Sequence, residues 1–265
     1  MDTTQTHIRP YWHVDIKWMT GIVAFFSLGL ALLLGNLVVL TTRENATTIT
    51  TVAVANLFSR DGLDSDEGLD ELRAQIAATD QEVFVPIEQF PGITLTKEQV
   101  LELSSRDLRL AIFRQITEPI YDQGLKNAAA SLIADSQQQE AFIRDASLLG
   151  VVTAENHQAL KVATVIASSV ALVFFVLSIG FSARWGRPVT AGVLLLLVSP
   201  VGAVIGALLR FSQNNTGLSQ FPVEIQSSIG YAMTMTYGVA FILGWLLLVV
   251  AGIGKIIQGS LRKRR

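Results

Sequence analysis

Two carboxylates, Glu118 and Asp122, have the spacing of a catalytic pair. They are four positions apart in the sequence, and residues at that spacing lie on one face of an α-helix. A pair of carboxylates can act as general acid and general base in hydrolysis. Pro119 lies between them, however, and a proline disfavours the regular helical face that such a pair needs. A hydrolase that uses these two residues is therefore the weakest of the functions considered.

An acidic segment, Asp61–Glu71, has a composition that suggests calcium binding. An EF-hand loop requires Asp or Asn at position five and glycine at position six. Counted from Asp64, these positions are Gly68 and Leu69, so the pattern is not met. We expect instead the start of a solvated helix with an N-cap at Asp64-Ser65, because carboxylates are favourable beside a helix N-terminus.

The three histidines of the sequence, His7, His13 and His157, do not have the pattern of a metal site. His13-x-Asp15 and Glu155-x-His157 are predicted to lie on opposite sides of a membrane, and zinc needs three or four protein ligands or a bound water. The sequence has no cysteine and no H-E-x-x-H, phosphate-loop or G-x-G-x-x-G motif. We therefore expect a non-enzymatic protein with no metal, no cofactor and no nucleic-acid partner.

The composition indicates a membrane protein. Half of the 265 residues are hydrophobic, 16% are charged and the mean hydropathy is +0.45, whereas about a quarter of the residues of a soluble domain are charged. Four segments without an ionisable side chain have the length of about 20 residues that a transmembrane helix needs. They are Trp18–Leu40, Val162–Phe181, Val189–Leu209 and Gly230–Ile253. We predict an all-α membrane protein of four transmembrane helices, with a mainly helical extracytoplasmic domain (residues 41–160) inserted between helices 1 and 2.

The distribution of basic residues predicts the orientation. Residues 1–17, 182–188 and 254–265 together contain nine Lys and Arg, and four spans place all three segments on one side. Because short basic segments remain in the cytoplasm, we predict a plasma-membrane protein with both termini cytoplasmic and residues 41–160 and 210–229 outside. The tail residues predicted to set topology or bind anionic lipid are Arg262, Lys263, Arg264 and Arg265.

Local patterns predict several short helices in the external domain, which is acidic overall. Apolar residues recur every four positions from 108 to 116, and Thr96 with Gln99 forms a capping-box pattern ahead of a short helix. Three further features are expected: an extended segment at 83–85, a stop or kink at Pro119, and a helix cap at Thr153.

Five glycines of the third and fourth predicted spans mark faces on which helices can pack closely. They are Gly202 and Gly206, in a G-x-x-x-G pattern, and Gly238, Gly244 and Gly252. These faces could pack against the chain's own helices or against a partner. Glycosylation sequons at Asn45 and Asn214 both fall on the predicted outer side.

The order of one span, an external domain and three further spans resembles the permeases of mechanotransmission-type ABC systems. The resemblance is one of topology and includes no sequence motif. In that family a cytoplasmic coupling helix meets the ATPase, whereas here Ser182–Pro188 is too short for one, so we assign no family. The leading hypothesis is a subunit or scaffold of a membrane complex whose external domain binds a protein. The alternative is a transport or mechanotransmission-type permease that works with a separate ATPase.

Overall fold

The computed structural model describes residues 12–58, 66, 68–79, 81–87, 90–182, 185–211 and 223–263. The residues Asp64-Ser65, the histidine His7, the sequon at Asn214 and the last two residues of the basic tail lie outside these ranges. The helix that Asp64-Ser65 was predicted to cap begins only at Leu69, and its N-cap is Gly68, which makes no side-chain cap hydrogen bond. The side chains of His13, Arg262 and Lys263 are likewise outside the description. The described chain is mostly helical.

Within the described ranges, twelve α-helices follow one another along the chain. They are α1 (Trp12–Leu40), α2 (Arg43–Phe58), α3 (Leu69–Ala77), α4 (Lys97–Glu102), α5 (Ser105–Gln123), α6 (Leu125–Leu132), α7 (Ser136–Asp145), α8 (Ala154–Gly180), α9 (Gly186–Val198), α10 (Pro200–Phe211), α11 (Val223–Met233) and α12 (Val239–Lys263). Two short strands, β1 (Val83–Phe84) and β2 (Leu95–Thr96), pair antiparallel. Residues Ser147–Val151 form a 3-10 helix, and Thr234–Gly238 form a π-helix.

The chain divides into two compact units. The apolar unit comprises residues 1–37, 161–208 and 230–265, and the polar unit comprises residues 38–160 and 209–229. The polar unit therefore interrupts the apolar unit in the sequence. Its second segment, which the sequence analysis treats as a separate loop, contributes Ile225 to a small cluster with Val52 and Ala55 of α2.

Three helical segments among the described residues are long and apolar enough to cross a membrane. They are Val14–Leu40, Ala154–Gly180 and Ile225–Ser260. A fourth candidate is the pair α9 and α10, which are bent by 48° relative to each other. Many large apolar side chains on these helices are exposed, as expected where lipid replaces water around a helix. These helices are compatible with a multi-pass membrane protein.

The predicted third span, residues 189–209, differs from expectation because it is not one straight helix. Helix α9 ends at Val198 and α10 begins at Pro200. Proline has no N–H to donate to the carbonyl four residues earlier, and its ring clashes with that carbonyl. The buried Ser199 hydroxyl donates to the Leu195 carbonyl oxygen at 2.6 Å, a contact that also bends helices. Hydropathy predicts that a segment can span, and carries no information about its straightness.

The core of the polar unit is built around α5. Its residues Leu108, Ile112, Ile116 and Ile120 are buried, in agreement with the four-residue repeat of the sequence. The other buried residues of this core are Leu69, Ile76, Ile93, Leu95, Val100, Ala128, Leu132 and Ile133. Helix α5 thus positions α3, α4, α6 and the β-hairpin around one apolar centre.

The local predictions at Thr96 and Thr153 are confirmed. Thr96 Oγ1 accepts a hydrogen bond from the Gln99 amide at 3.2 Å, and the Gln99 side chain accepts one from the Thr96 amide at 3.0 Å. The Asn156 amide donates to Thr153 Oγ1 at 3.3 Å. Pro119, in contrast, does not stop α5, which continues to Gln123 and ends where Gly124 has a φ of 80°. A positive φ is favourable for glycine and strained for other residues.

A buried hydrogen bond joins α2 to α5 and provides a test of their packing. Thr51 Oγ1 and Thr117 Oγ1 are 2.6 Å apart, and both side chains are almost fully buried. We expect Thr117→Val to lower the stability of the full-length protein in detergent by about 1–3 kcal/mol, because it leaves the Thr51 hydroxyl without its partner.

The Thr51→Val/Thr117→Val double variant is the control, since removing both hydroxyls together leaves no orphaned group. We expect its apparent melting temperature to return towards the wild-type value. A double variant that is less stable than Thr117→Val alone would show that the hydroxyl pair does not connect these helices as described.

Candidate functional site

The predicted carboxylate pair is bound by one arginine. Arg43 Nε and Nη2 donate to the two carboxylate oxygens of Asp122 at 3.0 and 2.8 Å. The Glu118 carboxylate lies 4.0 Å from the same Nη2. Arg43 begins α2, and both carboxylates lie in the last turns of α5. The contact therefore links the start of one helix to the end of the other, and it occupies the carboxylates that could have formed a catalytic pair.

The protonation of Asp122 fits this structural role. The hydrogen bond from Arg43 lowers the pKa of Asp122, and burial opposes that shift only in part. A carboxylic acid that acts as general acid at neutral pH needs a raised pKa. The pKa of Asp122 is lowered instead. Both side chains of the ion pair are more than a third exposed, and an exposed pair contributes little to stability because water screens it.

Further hydrogen bonds continue from this ion pair. The Tyr121 hydroxyl donates to the Thr41 carbonyl oxygen at 2.9 Å, and Thr41 Oγ1 lies 3.0 Å from His157 Nδ1. Burial raises the pKa of Tyr121, and the charge of Asp122 adds to the effect. His157 therefore binds a hydroxyl in this structure. Among the described residues, no group of three or more His, Cys, Asp or Glu could hold a metal ion.

A polar cavity of about 450 Å³ lies beside these residues. Its charged lining residues are Asp122, Lys126 and Glu155, and Asp122 is already bound to Arg43. Asn156, which also lines it, donates to the backbone carbonyls of Gly150 and Val151. The side chains of Asp122 and Asn156 are thus occupied by contacts within the polar unit.

A second feature of the polar unit, which the sequence analysis describes only as extended, is the outer edge of β1. The Lys97 amide donates to the Glu82 carbonyl at 3.0 Å, and Phe84 lies opposite Leu95. In an antiparallel pair, residues that exchange hydrogen bonds alternate with residues that do not. The backbone groups of Val83 and Val85 therefore point away from β2.

The two edges of this hairpin differ in how they are covered. At the β2 edge, the Gln115 side chain donates to the Thr94 carbonyl at 2.7 Å and accepts from the Thr94 amide at 3.0 Å. It therefore occupies the backbone groups of Thr94 that a further strand would pair with. At the β1 edge, Val83 and Val85 are 57% and 48% exposed. Among the described residues no strand pairs with this edge of β1, and exposed apolar side chains on an unpaired strand edge are typical of a surface that pairs with another chain.

In the apolar unit, α9 and α12 approach each other at glycine. A Cβ atom at Gly192 would lie 2.8 Å from the Gly244 carbonyl oxygen and 3.0 Å from Leu248 Cγ. A Cβ at Gly244 would lie 2.9 Å from Leu196 Cγ. Because real Cβ atoms do not approach other atoms so closely, only glycine permits this helix separation at both positions.

The same antiparallel contact continues along α10, beyond this crossing. A Cβ at Gly202 would overlap the ring of Tyr237, and one at Gly206 would lie 2.8 Å from Met233 Cβ. Of the other predicted packing glycines, Gly238 meets only Thr234 of its own helical segment, and Gly252 has no neighbouring atom within 4 Å. The structure thus brings three of the five glycines against another helix.

Sequence reasoning missed two packing glycines, Gly192 and Gly254. A Cβ at Gly254 would overlap the ring of Trp185. The third and fourth spans are antiparallel, so the start of the third span lies beside the end of the fourth. This alignment places Gly192 and Gly254 where the two spans face each other. The signal was available in the sequence, since Trp185 and Gly254 flank the two apolar segments at the same predicted membrane surface.

The apolar unit also contains buried polar groups whose importance the sequence pattern did not indicate. Among the described side chains, three buried polar atoms have no hydrogen-bond partner: Asn36 Oδ1, Ser178 Oγ and Thr234 Oγ1. Asn36 lies within the first predicted span and was not considered as a candidate, although an amide in such a segment can be read directly from the sequence. Thr234 begins the π-helix, a distortion often found at functional sites.

The sequon at Asn45 is occupied by a contact within the chain. Its side-chain amide donates to the Val39 carbonyl oxygen at 2.8 Å, which is one of the carbonyls that the end of α1 leaves without a helical partner. A glycan on this nitrogen would replace one of its two hydrogens and leave the other as the donor for this bond.

Comparison of the chain with protein-family models, with curated proteins and with solved structures finds no match. Function is therefore inferred from the chemistry and geometry of the sites described above.

The Gly192–Gly244 crossing generates a prediction with a matched control. Gly192→Ala is expected to destabilise the full-length protein by about 1–3 kcal/mol, because the added methyl group forces α9 and α12 apart. Gly252→Ala adds the same atom to a position with open space and is expected to change stability by less than about 0.5 kcal/mol. The measurement is the apparent melting temperature in detergent. Equal effects of the two substitutions would show that the crossing does not depend on a small residue.

Proposed function

We propose that this chain is a non-enzymatic integral membrane protein that acts as a subunit or scaffold of a membrane complex. In this proposal the polar unit lies outside the cytoplasm and binds a protein partner. The observation that carries the proposal is the open edge of β1. The occupied state of the Glu118 and Asp122 carboxylates supports a binding role over hydrolysis.

The partner proposed for this edge is an extended peptide segment of another protein. Main-chain groups of Val83 and Val85 point outward, and a third strand would pair with them as in β-strand addition. The two valine side chains lie on the face opposite Phe84, which packs against the core. A partner strand would therefore cover exposed apolar surface and use the outward-facing hydrogen-bonding groups at the same time.

The experiment is purification of the tagged full-length protein in mild detergent, followed by quantitative mass spectrometry of what copurifies. We expect membrane partners at fixed stoichiometry, and roughly tenfold less of them with Val83→Asp, because a carboxylate would be desolvated at the new interface. Leu148→Asp is the matched control, since Leu148 is 82% exposed in the 3-10 helix of the same unit. It should retain the partners.

Two outcomes of this experiment would contradict the proposal. A protein that purifies only with copies of itself would not be a subunit of a mixed complex. Partners lost equally from Val83→Asp and Leu148→Asp would bind through general apolar surface and not through the strand edge.

The proposed topology has four spans in the plasma membrane with both termini cytoplasmic. It is supported by the basic residues of 1–17, 182–188 and 254–265 and by the apolar helices. The natural absence of cysteine permits a direct test with single cysteines at exposed positions. We expect Gln138→Cys in α7 to react with a membrane-impermeant maleimide in intact cells, and Ser260→Cys in α12 to react only after permeabilisation. The reverse pattern would invert the topology.

A permease that works with a separate ATPase is the second candidate, and one observation favours it. The bend at Pro200 lies opposite the π-helix, where Tyr237 packs on Gly202. Broken or distorted helices occur in transporters at positions that bind substrate or change shape. Recovery of an ATPase in the same purification would support this candidate over the scaffold.

A further inference from the structure

The hairpin with the open β1 edge lies in a segment whose charge is almost entirely negative. Residues 74–104 contain five carboxylates and one cation. The carboxylates are Asp80, Glu82, Glu88, Glu98 and Glu102, and the cation is Lys97. Among the described residues, the side chains of Glu82, Glu98 and Glu102 are all exposed. A molecule that approaches this hairpin therefore meets mainly negative charge.

The one cation of this segment is engaged within the polar unit. Lys97 Nζ donates to the Thr79 carbonyl oxygen at 2.7 Å, and the Lys97 amide donates to the Glu82 carbonyl oxygen at 3.0 Å. The ammonium is thus held at Thr79, ahead of β1. The charges that remain for contact with an added strand are those of the carboxylates.

Glu82 is placed for a close contact with such a strand. Its carbonyl points inward, because it accepts from the Lys97 amide. On the outer side of β1, Glu82 would therefore form a non-hydrogen-bonded pair with an antiparallel partner. In such pairs the Cα atoms are about 4.5 Å apart and the side chains lie closest. Because opposite charges across strands are favourable, a basic residue is favoured opposite Glu82.

Val83 and Val85 determine the positions on the other face of the added strand. Side chains alternate between the two faces of a sheet, so the residues opposite these valines would lie on the exposed valine face. Apolar side chains at those positions would cover the valines, which are 57% and 48% exposed. The edge is therefore complementary to a strand in which basic and apolar residues alternate.

We propose that the β1 edge binds an extended basic segment of its protein partner, with lysine or arginine opposite Glu82 and apolar residues opposite Val83 and Val85. The outward backbone groups of the two valines would pair with the main chain of this segment, as in β-strand addition. This inference rests on the proposed function and specifies the chemistry of the partner.

The same charges argue against a second copy of this chain at the edge. Pairing of two β1 strands would bring together two copies of residues 74–104, each with five carboxylates and one cation. Like charges on paired strands are destabilising, and charged side chains are one means by which proteins prevent pairing between their own strand edges. The valines of two copies would fit each other, but the carboxylates would repel.

The test measures the binding of synthetic peptides to the full-length protein in non-ionic detergent. Two acetylated and amidated peptides of about six residues, the length of a typical strand, are compared. One alternates lysine with valine and the other alternates glutamate with valine, and each carries a neutral fluorophore for fluorescence anisotropy. We expect the lysine peptide to bind roughly tenfold more tightly at low salt, the effect of a few exposed charge pairs. The difference should shrink at high salt, because exposed charges are screened.

Three variants locate the contact. Glu82→Gln should weaken binding of the lysine peptide about threefold, the effect of one exposed ion pair. Glu140→Gln removes an exposed carboxylate of α7 in the same unit and should leave binding unchanged. Val85→Pro should weaken binding of the lysine peptide, because it removes an outward N–H from the edge. Glu82→Gln changes no backbone group, so it tests the proposal even if Val85→Pro fails to fold.

The outcomes separate this inference from the proposed function. Equal binding of the two peptides, lost in a folded Val85→Pro variant, would overturn the basic segment and leave strand addition in place. If neither peptide binds saturably, both are overturned. Equal effects of Glu82→Gln and Glu140→Gln would indicate attraction by the total charge of the polar unit and overturn the pairing at Glu82. Dimers of the chain that the lysine peptide does not dissociate and that Val85→Pro abolishes would assign the edge to a second copy.

Discussion

The contact of Gly192 with the backbone of Gly244 sets the distance between α9 and α12, which form the most extensive helix contact described in the apolar unit. In lipid, helices gain little from burying apolar surface against each other, because the surrounding chains are equally apolar. Close packing and polar contacts must hold them together instead. The carbonyl oxygen that a Cβ would meet at 2.8 Å shows how close the backbones are, and the leucines beside the glycines pack across the crossing.

The helical distortions of this antiparallel pair lie opposite each other. Beyond the crossing, α10 turns away from α9 at Pro200 by 48°, and the opposite segment contains the π-helix Thr234–Gly238. The Tyr237 ring packs on Gly202 at this level. A proline removes one hydrogen bond from a helix, and a π-turn rearranges several. The weakest backbone of both segments therefore lies at one level of the apolar unit, directly beside the tight glycine crossing.

The sequence was informative where one local pattern determines the outcome. The capping box at Thr96 and Gln99 and the four-residue repeat of α5 were predicted because each depends on residues within a few positions. Gly192 and Gly254 were not predicted, because a packing glycine is recognised only once the two spans are aligned antiparallel and the residue opposite it is known. The bend at Pro200 was not predicted, because hydropathy was applied to the whole segment without regard to its proline. The Arg43–Asp122 contact joins residues 79 positions apart, and no spacing rule reaches that far. Asn36 was missed for a different reason: averaged hydropathy hides a single amide in an apolar segment.

The two units differ in how their buried polar groups are hydrogen-bonded. In the polar unit Thr51 pairs with Thr117, Tyr121 with Thr41, and Asp122 with Arg43, so its prominent polar side chains are satisfied within the chain. The unpartnered buried atoms among the described side chains, on Asn36, Ser178 and Thr234, all belong to the apolar unit. Water that could satisfy such atoms is absent from the hydrocarbon region of a bilayer, so leaving them unpaired costs more there than at a hydrated surface. Thr234 lies at the start of the π-helix, so this level of the apolar unit is where the permease proposed as the second candidate would bind substrate or change shape.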